Sequence, residues 1–345
     1  MSPKIIGLGL DALYYTALYR LIDRMIAGVG GIFCFHRVVD EDGPSGFAPT
    51  AGLAIRASFL NGVLDLARTE GWDIVTLSEV RRRLVERRFG RKFVCFTVDD
   101  IYRDTHEVVL PMFQRHGAPF TAFVTTGIPD RTLPIWWFGV EQVLNRCDDV
   151  WFGKGDRLCR LQTRTADEKT AAYALLVGSL KATGDPAGAF ADFCALNDQS
   201  PESLSDELGV TWEELRAMQA SGVVEFGAHT LTHPAIAALP EDEARREMGE
   251  SRSILEDRLK VPVRHFAFPY GDPGSCGVRD FGIAGQLGFD TAVTTRKGVL
   301  VPGDAGALHA LPRLVLNGHF QKERYAKVFM SGVLGSADGV IRWIR

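Results

Sequence analysis

Two pairs of polar residues follow apolar segments of this sequence, and their side chains are of the kinds that bind metal ions. Asp99 and Asp100 come directly after residues 93–98, a mostly apolar run typical of a strand that is covered on both faces. Neighbouring carboxylates repel each other, so this pair is favoured only where a cation or a proton compensates the charge. His229 and His233 end another apolar run, and one helical turn would direct both imidazoles to a single point.

Two imidazoles combined with one carboxylate form the ligand set of a catalytic divalent site. Such a set leaves coordination positions for water and substrate, whereas structural sites are closed. Zinc is the ion that these donors favour, and cobalt or nickel could replace it. Taken singly, each pair has another explanation: a solvated loop or a helix N-cap for the carboxylates, and a capping or packing role for the imidazoles.

Eight apolar segments, separated by stretches with helical spacing, predict the framework that positions these residues. The segments are 32–35, 72–76, 93–98, 120–126, 223–229, 265–270, 290–294 and 311–316. Strands that alternate with helices form parallel pairs joined by right-handed crossovers, and eight of them close a barrel. The predicted fold class is α/β, a distorted TIM-like (β/α) barrel with its chemistry at the carboxyl ends of the strands. No Gly-x-Gly-x-x-Gly follows a strand, so dinucleotide binding is not expected.

Two regions lie outside this pattern. Residues 131–220 carry helical spacing and predict a mostly helical insertion. An apolar stripe at three-and-four spacing predicts one helix over residues 8–27, docked on the core, with binding to a membrane surface as the alternative. The expected organisation is an N-terminal helix within residues 1–29 and a catalytic domain over residues 30–345 that contains the insertion.

The composition narrows the range of partners and compartments. Lys and Arg number 39 against 43 Asp and Glu, and the net charge of -4 gives no overall field for nucleic acid, so no nucleic-acid partner is expected. Charged residues recur through residues 1–30, leaving no apolar span of membrane length and no signal-peptide core, so the cytoplasm is the expected location. The six cysteines are scattered without a Cys-x-x-Cys, which favours reduced thiols.

Three segments resemble, in the same order, the first three motifs of the polysaccharide deacetylase family, also called the NodB-homology family. They are FTVDD at 96–100, HTLTHP at 229–234 and FPYG at 268–271. Each motif alone is weakly specific, whereas the three together are specific. The resemblance covers residues 30–317, with 131–220 as an insertion.

The resemblance implies a hydrolase that removes N-acetyl groups from an amino-sugar polysaccharide or oligosaccharide, so the expected partner is an N-acetylated glycan. It also implies that Asp100, His229 and His233 bind the metal, that Asp99 is the general base and that the backbone N–H of Tyr270 holds the oxyanion. The chemistry agrees with these roles, since a divalent ion acidifies water and stabilises the oxyanion that develops from an acetamide. The cation also keeps the carboxylate base ionised at neutral pH.

Three positions depart from the family's usual pattern. Ile101 follows the Asp pair where the family usually has glycine, and isoleucine adopts a positive φ only at a cost. Ala267 stands where many members carry an arginine, so Arg313 is predicted to orient the base, with Arg264 as the second choice. The late Leu-x-His motif lacks its spacer at His309, which is therefore interpreted as a loop histidine.

His36 is predicted to protonate the leaving amine, because an amide does not readily expel an unprotonated nitrogen. It ends the first predicted strand, and an imidazole pKa near roughly 6.5 suits a group that begins protonated. The Phe35-His36 pair also resembles an N-terminal motif of some extracellular-polysaccharide deacetylases. The alternative is that His36 only caps the strand by hydrogen bonding.

Trp136 and Trp137 are candidate substrate residues, since aromatic rings suit the C–H faces of sugars, with anchoring of the insertion on the core as the alternative. Two other functions stay open. Ile101 and Ala267 motivate a carbohydrate-binding pseudo-enzyme with impaired catalysis. The same site could also act as an amidase on C–N bonds that are not part of a sugar.

Overall fold

The computed structural model describes residues 3–40, 46–183 and 185–335. Residues 1–2 of the predicted N-terminal segment, and residues 41–45, 184 and 336–345 of the predicted catalytic domain, therefore lie outside the described residues. The strands in the described ranges are β1 (Gly30–Phe35), β2 (Arg37–Val39), β3 (Ala54–Arg56), β4 (Asp73–Ile74), β5 (Phe93–Val98), β6 (Phe120–Val124), β7 (Asp149–Phe152), β8 (Cys159–Gln162), β9 (Val224–Ala228), β10 (His265–Ala267), β11 (Thr291–Lys297) and β12 (Leu311–Val315).

The α-helices in the same ranges alternate with the larger strands over most of the chain. They are α1 (Pro3–Tyr15), α2 (Leu18–Ile26), α3 (Ala57–Thr69), α4 (Leu77–Glu86), α5 (Leu110–His116), α6 (Trp136–Arg146), α7 (Ala166–Ala182), α8 (Pro186–Leu196), α9 (Pro201–Asp206), α10 (Trp212–Ala220), α11 (Glu241–Leu259), α12 (Val278–Gln286) and α13 (Glu323–Met330). A π-helical turn at Thr105–Val109 leads directly into α5.

Parallel strands close into a barrel, which confirms the predicted fold class. The order of the ring is β1, β12, β11, β10, β9, β6 and β5, and β5 pairs again with β1. The predicted strand 72–76 contributes only β4, which pairs with the first two residues of β5, while β6 pairs with the last two. Since β4 has two paired residues and no second neighbour among the described strands, the closed ring that these strands form has seven members rather than eight.

The strands are apolar on both faces because each face packs against a different core. In β5, Val94, Phe96 and Val98 belong to the cluster that also contains residues of the surrounding helices. The alternate residues Phe93 and Cys95 belong to a second cluster, on the inner side of the ring. Asp99 continues this inward-facing series at the carboxyl end of the strand.

The N-terminal region differs from the single helix predicted over residues 8–27. Ala17 adopts a left-handed conformation, with φ of 55°, and this break separates α1 from α2. The two helices meet at 84°. No single helix in the described part of the chain is long and apolar enough to cross a membrane, although this bent pair taken together meets the length and composition of a span.

The segment 131–220 contains a subdomain and, after it, a helix of the barrel. Helices α6, α7 and α8 enclose a separate apolar core, and the antiparallel hairpin β7–β8 adds a small sheet to this mostly helical unit. In α10, however, Leu215 and Met218 pack in the main barrel core. The inserted unit therefore ends before residue 212, and α10 is the crossover helix that precedes β9.

Candidate active site

The carboxyl ends of the barrel strands surround a pocket of ≈ 520 Å³. The carboxylates that follow β5 and the imidazoles that follow β9 face this pocket, as does Tyr270 beyond β10. The walls are completed by the turn Pro49–Leu53 and by side chains of α6 and α7 from the insertion. Residues that are distant in the sequence thus meet at one rim, as the predicted barrel requires.

Asp100, His229 and His233 form a compact group of ligand atoms. Asp100 Oδ1 lies 3.3 Å from Nε2 of His229 and 3.2 Å from Nε2 of His233. One ligand atom from each residue falls within 4.8 Å of the others. Asp100 Oδ1 is buried and accepts no hydrogen bond from the described residues. A buried carboxylate oxygen facing two imidazole nitrogens fits a divalent cation, since the three donors match a two-His, one-carboxylate set.

Neighbouring groups fix the orientation of these three donors. His229 Nδ1 lies 2.7 Å from the carbonyl oxygen of Ala267. It must donate there, so Nε2 is left with its lone pair towards the pocket. Asp100 Oδ2 accepts a hydrogen bond of 2.6 Å from the Tyr102 hydroxyl, which in turn accepts from Trp137 Nε1 at 2.9 Å. Because these hydrogen bonds occupy Oδ2, Oδ1 is the oxygen of Asp100 that faces the imidazoles.

Asp99 is held by a buried arginine. The guanidinium of Arg313 donates to both carboxylate oxygens, at 2.7 and 2.6 Å, and neither side chain is more than 3% exposed. Arg313 also donates to the carbonyl oxygen of Thr294 and to the hydroxyl of Thr97. Burial raises the pKa of Asp99, but the charge of Arg313 and its hydrogen bonds to the carboxylate outweigh that effect and lower the pKa to about 2. Asp99 is therefore ionised at neutral pH.

The loops that carry the site adopt unusual backbone conformations. Asp100, Ile101, Thr230, His233 and Tyr270 all have φ between 58° and 69°, a region that residues other than glycine seldom occupy. The sequence indicated that this conformation would be costly at Ile101, and the chain adopts it nevertheless, with the side chain fully buried in the barrel core. Five of the eleven non-glycine residues with positive φ in the described part of the chain thus lie around the proposed ligands, as is common at functional sites.

Glu247 is a supporting residue that the sequence analysis missed. Its buried carboxylate, on α11, accepts hydrogen bonds from the backbone N–H groups of Leu231 and Thr232 and from the Thr232 hydroxyl, at 2.8 to 3.0 Å. These bonds hold the loop between the two imidazoles. The feature of the sequence that could have identified Glu247 is a single carboxylate on the apolar face of a long helix, three residues after Ala244. Tyr102 was missed as well, although it follows Asp100 by two residues.

The two histidines considered as proton donors lie at opposite ends of the barrel. His36 follows β1 at the rim and lines the pocket. Burial lowers its pKa, an effect that the carboxylates of Asp100 and Asp99 oppose, and the net result is a lowered pKa. His36 therefore begins neutral at neutral pH, contrary to the expectation that it begins protonated. His309 precedes β12, contacts the carbonyl oxygen of Phe289 at 2.7 Å and does not line the pocket.

The aromatic candidates divide between anchoring and lining roles. Trp136 is 4% exposed and packs in the core of the insertion, as the anchoring alternative predicted. Trp137 packs its ring 5.1 Å from the ring of His233, and the Tyr270 ring lies 5.0 Å from the same imidazole.

The backbone N–H of Tyr270 donates to no acceptor within the described residues, which leaves it for a ligand in the pocket. The predicted strand 265–270 ends at Ala267, so this N–H lies in the following turn.

The fold and the pocket define a class: the NodB-type (β/α) barrels, which carry their chemistry at the carboxyl rim. The polysaccharide deacetylase family model matches residues 86–289, more than half of the chain, and the chain belongs to that family. It is accordingly a hydrolase of carbon–nitrogen bonds other than peptide bonds. No curated protein matches the sequence closely enough to count as a relative.

Several solved structures share the fold. The deacetylase PplD of Streptococcus pyogenes, solved with acetate, has 17% identity and a TM-score of 0.57, with 87% of this chain and 97% of that chain covered. IcaB of Ammonifex degensii has 20% identity and a TM-score of 0.55, with 88% and 95% covered. A de-N-acetylase of Aggregatibacter actinomycetemcomitans has 14% identity and a TM-score of 0.54, with 87% and 99% covered. At these identities the likeness shows the fold.

Substitution of Ile101 tests the backbone strain. In ordinary conformations Gly is less stable than Ala by about 0.5–1 kcal/mol, but at positive φ the Cβ atom costs roughly 1–2 kcal/mol. We expect Ile101→Ala and Ile101→Gly both to destabilise the protein, with the Gly variant the more stable by about 1 kcal/mol in urea denaturation. Ile55 is equally buried but has an ordinary φ, so Ile55→Ala should be more stable than Ile55→Gly. If the Ala variant were the more stable one at both positions, Ile101 would not be strained.

Removal of the Arg313 guanidinium should leave Asp99 as an unpaired buried charge. We expect Arg313→Met to lose about 3–5 kcal/mol of unfolding free energy near neutral pH, and Asp99→Asn added to it to restore part of that loss. In the wild type the lowered pKa of Asp99 contributes stability that is lost as pH falls from about 4 to about 2. In Arg313→Met the guanidinium no longer opposes the effect of burial, so the pKa of Asp99 rises. The loss of unfolding free energy relative to the wild type should therefore shrink on acidification from about pH 7 to about pH 5.

Denaturation curves at both pH values measure these effects. A loss below about 1 kcal/mol, or no recovery in the double variant, would show that the ion pair does not constrain the fold.

Proposed function

We propose that the protein removes N-acetyl groups from an amino-sugar glycan, with one divalent ion held by Asp100, His229 and His233. The observation that carries the proposal is the joint placement of this donor set, the Asp99–Arg313 pair and the Tyr270 N–H in one rim pocket. Zinc suits two imidazoles and one carboxylate best. When bound, the ion would acidify a water molecule and polarise the acetamide carbonyl.

The side chains supply the remaining chemistry. Asp99 is ionised, oriented by Arg313 and able to accept a hydrogen bond from the attacking water, although its low pKa makes it a weak base on its own. The N–H of Tyr270 would donate to the oxygen of the acetyl group as negative charge develops on it. Collapse of the tetrahedral intermediate then requires a proton on the departing nitrogen.

His36 is the proposed carrier of that proton. Because its imidazole begins neutral, it can take the proton that leaves the water and deliver it to the amine, rather than begin protonated as the sequence analysis expected. Asp99 and Asp100 face the same pocket, and their negative charges would stabilise the imidazolium during the transfer. His309, at the other end of β12, is outside this reaction.

The two departures that suggested a pseudo-enzyme are both accommodated in the structure. Ile101 adopts the positive φ that glycine would supply. Arg313 reaches Asp99 from β12, so Ala267 needs no guanidinium, and the Ala267 carbonyl instead orients His229. These contacts favour an active hydrolase. A cytoplasmic location remains a prediction from the sequence.

Acetate release from N-acetylglucosamine oligomers tests the function. We expect release that a chelator abolishes and that zinc or cobalt restores, with one metal ion per purified chain. His229→Ala and His233→Ala should hold clearly less than one ion, whereas His309→Ala should hold a full complement. Undiminished metal in both ligand variants would refute the metal site, release only from non-sugar amides would support the amidase, and metal binding without any release would support the pseudo-enzyme.

The role of His36 is tested by pH–rate profiles. His36→Ala should lose about 10²–10⁴-fold in turnover, the usual contribution of a positioned proton carrier, while His309→Ala keeps nearly the full rate. Because the neutral imidazole is the working form and its pKa is lowered, kcat/KM of the wild type should fall on acidification below about pH 6.5. That acidic limb should vanish in His36→Ala. A large loss in His309→Ala, with His36→Ala unaffected, would reverse the assignment.

A further inference from the structure

Helices α1 and α2 present large apolar side chains to solvent. Six of the thirteen large apolar residues exposed in the described part of the chain lie on these two helices, and they are 45% to 77% exposed. We call this set the outer face, and its members are Ile5, Leu8, Tyr15, Leu18, Leu21 and Met25. Their three-and-four spacing places them along one side of each helix. Exposed apolar side chains grouped in this way are a feature of interaction sites.

The opposite side of the same helices is firmly attached to the barrel. Leu10 is buried, and Leu13, Tyr14 and Ile26 pack against the main core. The exposure of the outer face is therefore not that of a detached segment. Both sides of the pair are apolar, and only one of them is covered.

The acidic residues of the helix pair are turned away from the outer face. Asp11 forms ion pairs with Lys322 and Arg324, both at 2.8 Å. Asp23 forms an ion pair with Lys92 at 2.5 Å. These pairs neutralise both carboxylates against the barrel.

The basic residues of the pair have the opposite placement. Lys4, Arg20 and Arg24 are exposed, and none of them forms an ion pair within the described residues. Beside α1, a groove of ≈ 840 Å³ adds Arg56, whose buried Nε has no hydrogen-bond partner among the described residues. The apolar outer face is thus bordered by cations that form no ion pair with a carboxylate of the described residues.

We propose that the outer face docks onto an anionic lipid bilayer, with α1 and α2 lying in the headgroup region. Apolar side chains that enter the interface, bordered by Lys and Arg that contact lipid phosphates, are the features of an interfacial amphipathic helix. The exposed ring of Tyr15 suits the same depth. The groove beside α1 accepts a lipid phosphate at Arg56.

The charges and the packing favour this occupant over two others. In a dimer formed through the outer face, Lys4, Arg20 and Arg24 of one copy would approach those of the other and repel them. A pair of spanning helices would have to leave the barrel core and break the ion pairs of Asp11 and Asp23. Surface docking retains all of these contacts.

Docking would also bring the active site close to the membrane, a consequence that depends on the proposed function. In the turn Pro49–Leu53, Ala51 lines the groove, and Thr50 and Gly52 line the active-site pocket. The same turn thus separates the two cavities. An N-acetylated glycan attached to the membrane surface is the substrate that this arrangement suits.

Flotation of the full chain with lipid vesicles tests the docking without reference to activity. We expect binding to vesicles of phosphatidylcholine mixed with phosphatidylglycerol, and much weaker binding to phosphatidylcholine alone. The triple variant Leu8→Ser, Leu21→Ser, Met25→Ser should bind about a hundredfold more weakly. The pair Arg20→Gln, Arg24→Gln should bind about 25-fold more weakly, at roughly fivefold per basic residue.

A matched control replaces exposed apolar residues elsewhere on the surface. Val85→Ser, Leu175→Ser, Val278→Ser should bind vesicles as the wild type does, since these side chains are comparably exposed but lie outside the outer face. Equal loss in the control, or no wild-type binding, would overturn the proposal. So would a dimer in sedimentation velocity that the outer-face variant dissociates, because a second copy would then cover the face. Resistance of the bound protein to alkaline carbonate extraction would indicate a spanning segment instead.

Discussion

The buried ion pair between Asp99 and Arg313 is the interaction on which the rest of the site depends. Each charge would be costly in the barrel interior alone, and the bidentate contact offsets that cost only while β5 and β12 keep their places on either side of β1. The pair therefore requires the closed ring. In return it holds Asp99 ionised at the pocket, beside the imidazoles.

Much of this arrangement could be predicted because it follows from periodicity and from strand ends. Long apolar runs identified the strands of the barrel, and a barrel places whatever follows each strand at one rim. Asp100, His229 and His233 therefore had to lie near one another. Arg313 could be proposed as the partner of the base because it lies in the last strand, whereas the contact with both oxygens of Asp99 required the structure.

Other features depend on tertiary contacts that leave little trace in the sequence. The left-handed Ala17 breaks an apolar stripe that is typical of one continuous helix, and the two halves it separates both contact α13. The end of the insertion was misplaced because α10 has the same helical pattern whichever core it joins. The predicted protonation of His36 is wrong because burial lowers its pKa, and the burial of this side chain is visible only in the structure.

The strained backbone around the three proposed metal ligands explains why neighbouring side chains that bind no metal are needed to hold the loops in place. Five non-glycine residues at positive φ cost of order 1–3 kcal/mol each, and such conformations persist only when the surroundings fix them. Glu247 fixes the loop between His229 and His233, and the buried side chain of Ile101 fixes the turn after Asp100. A residue that departs from the family's glycine can thus stiffen this turn, because packing of its side chain compensates for the backbone conformation it must adopt.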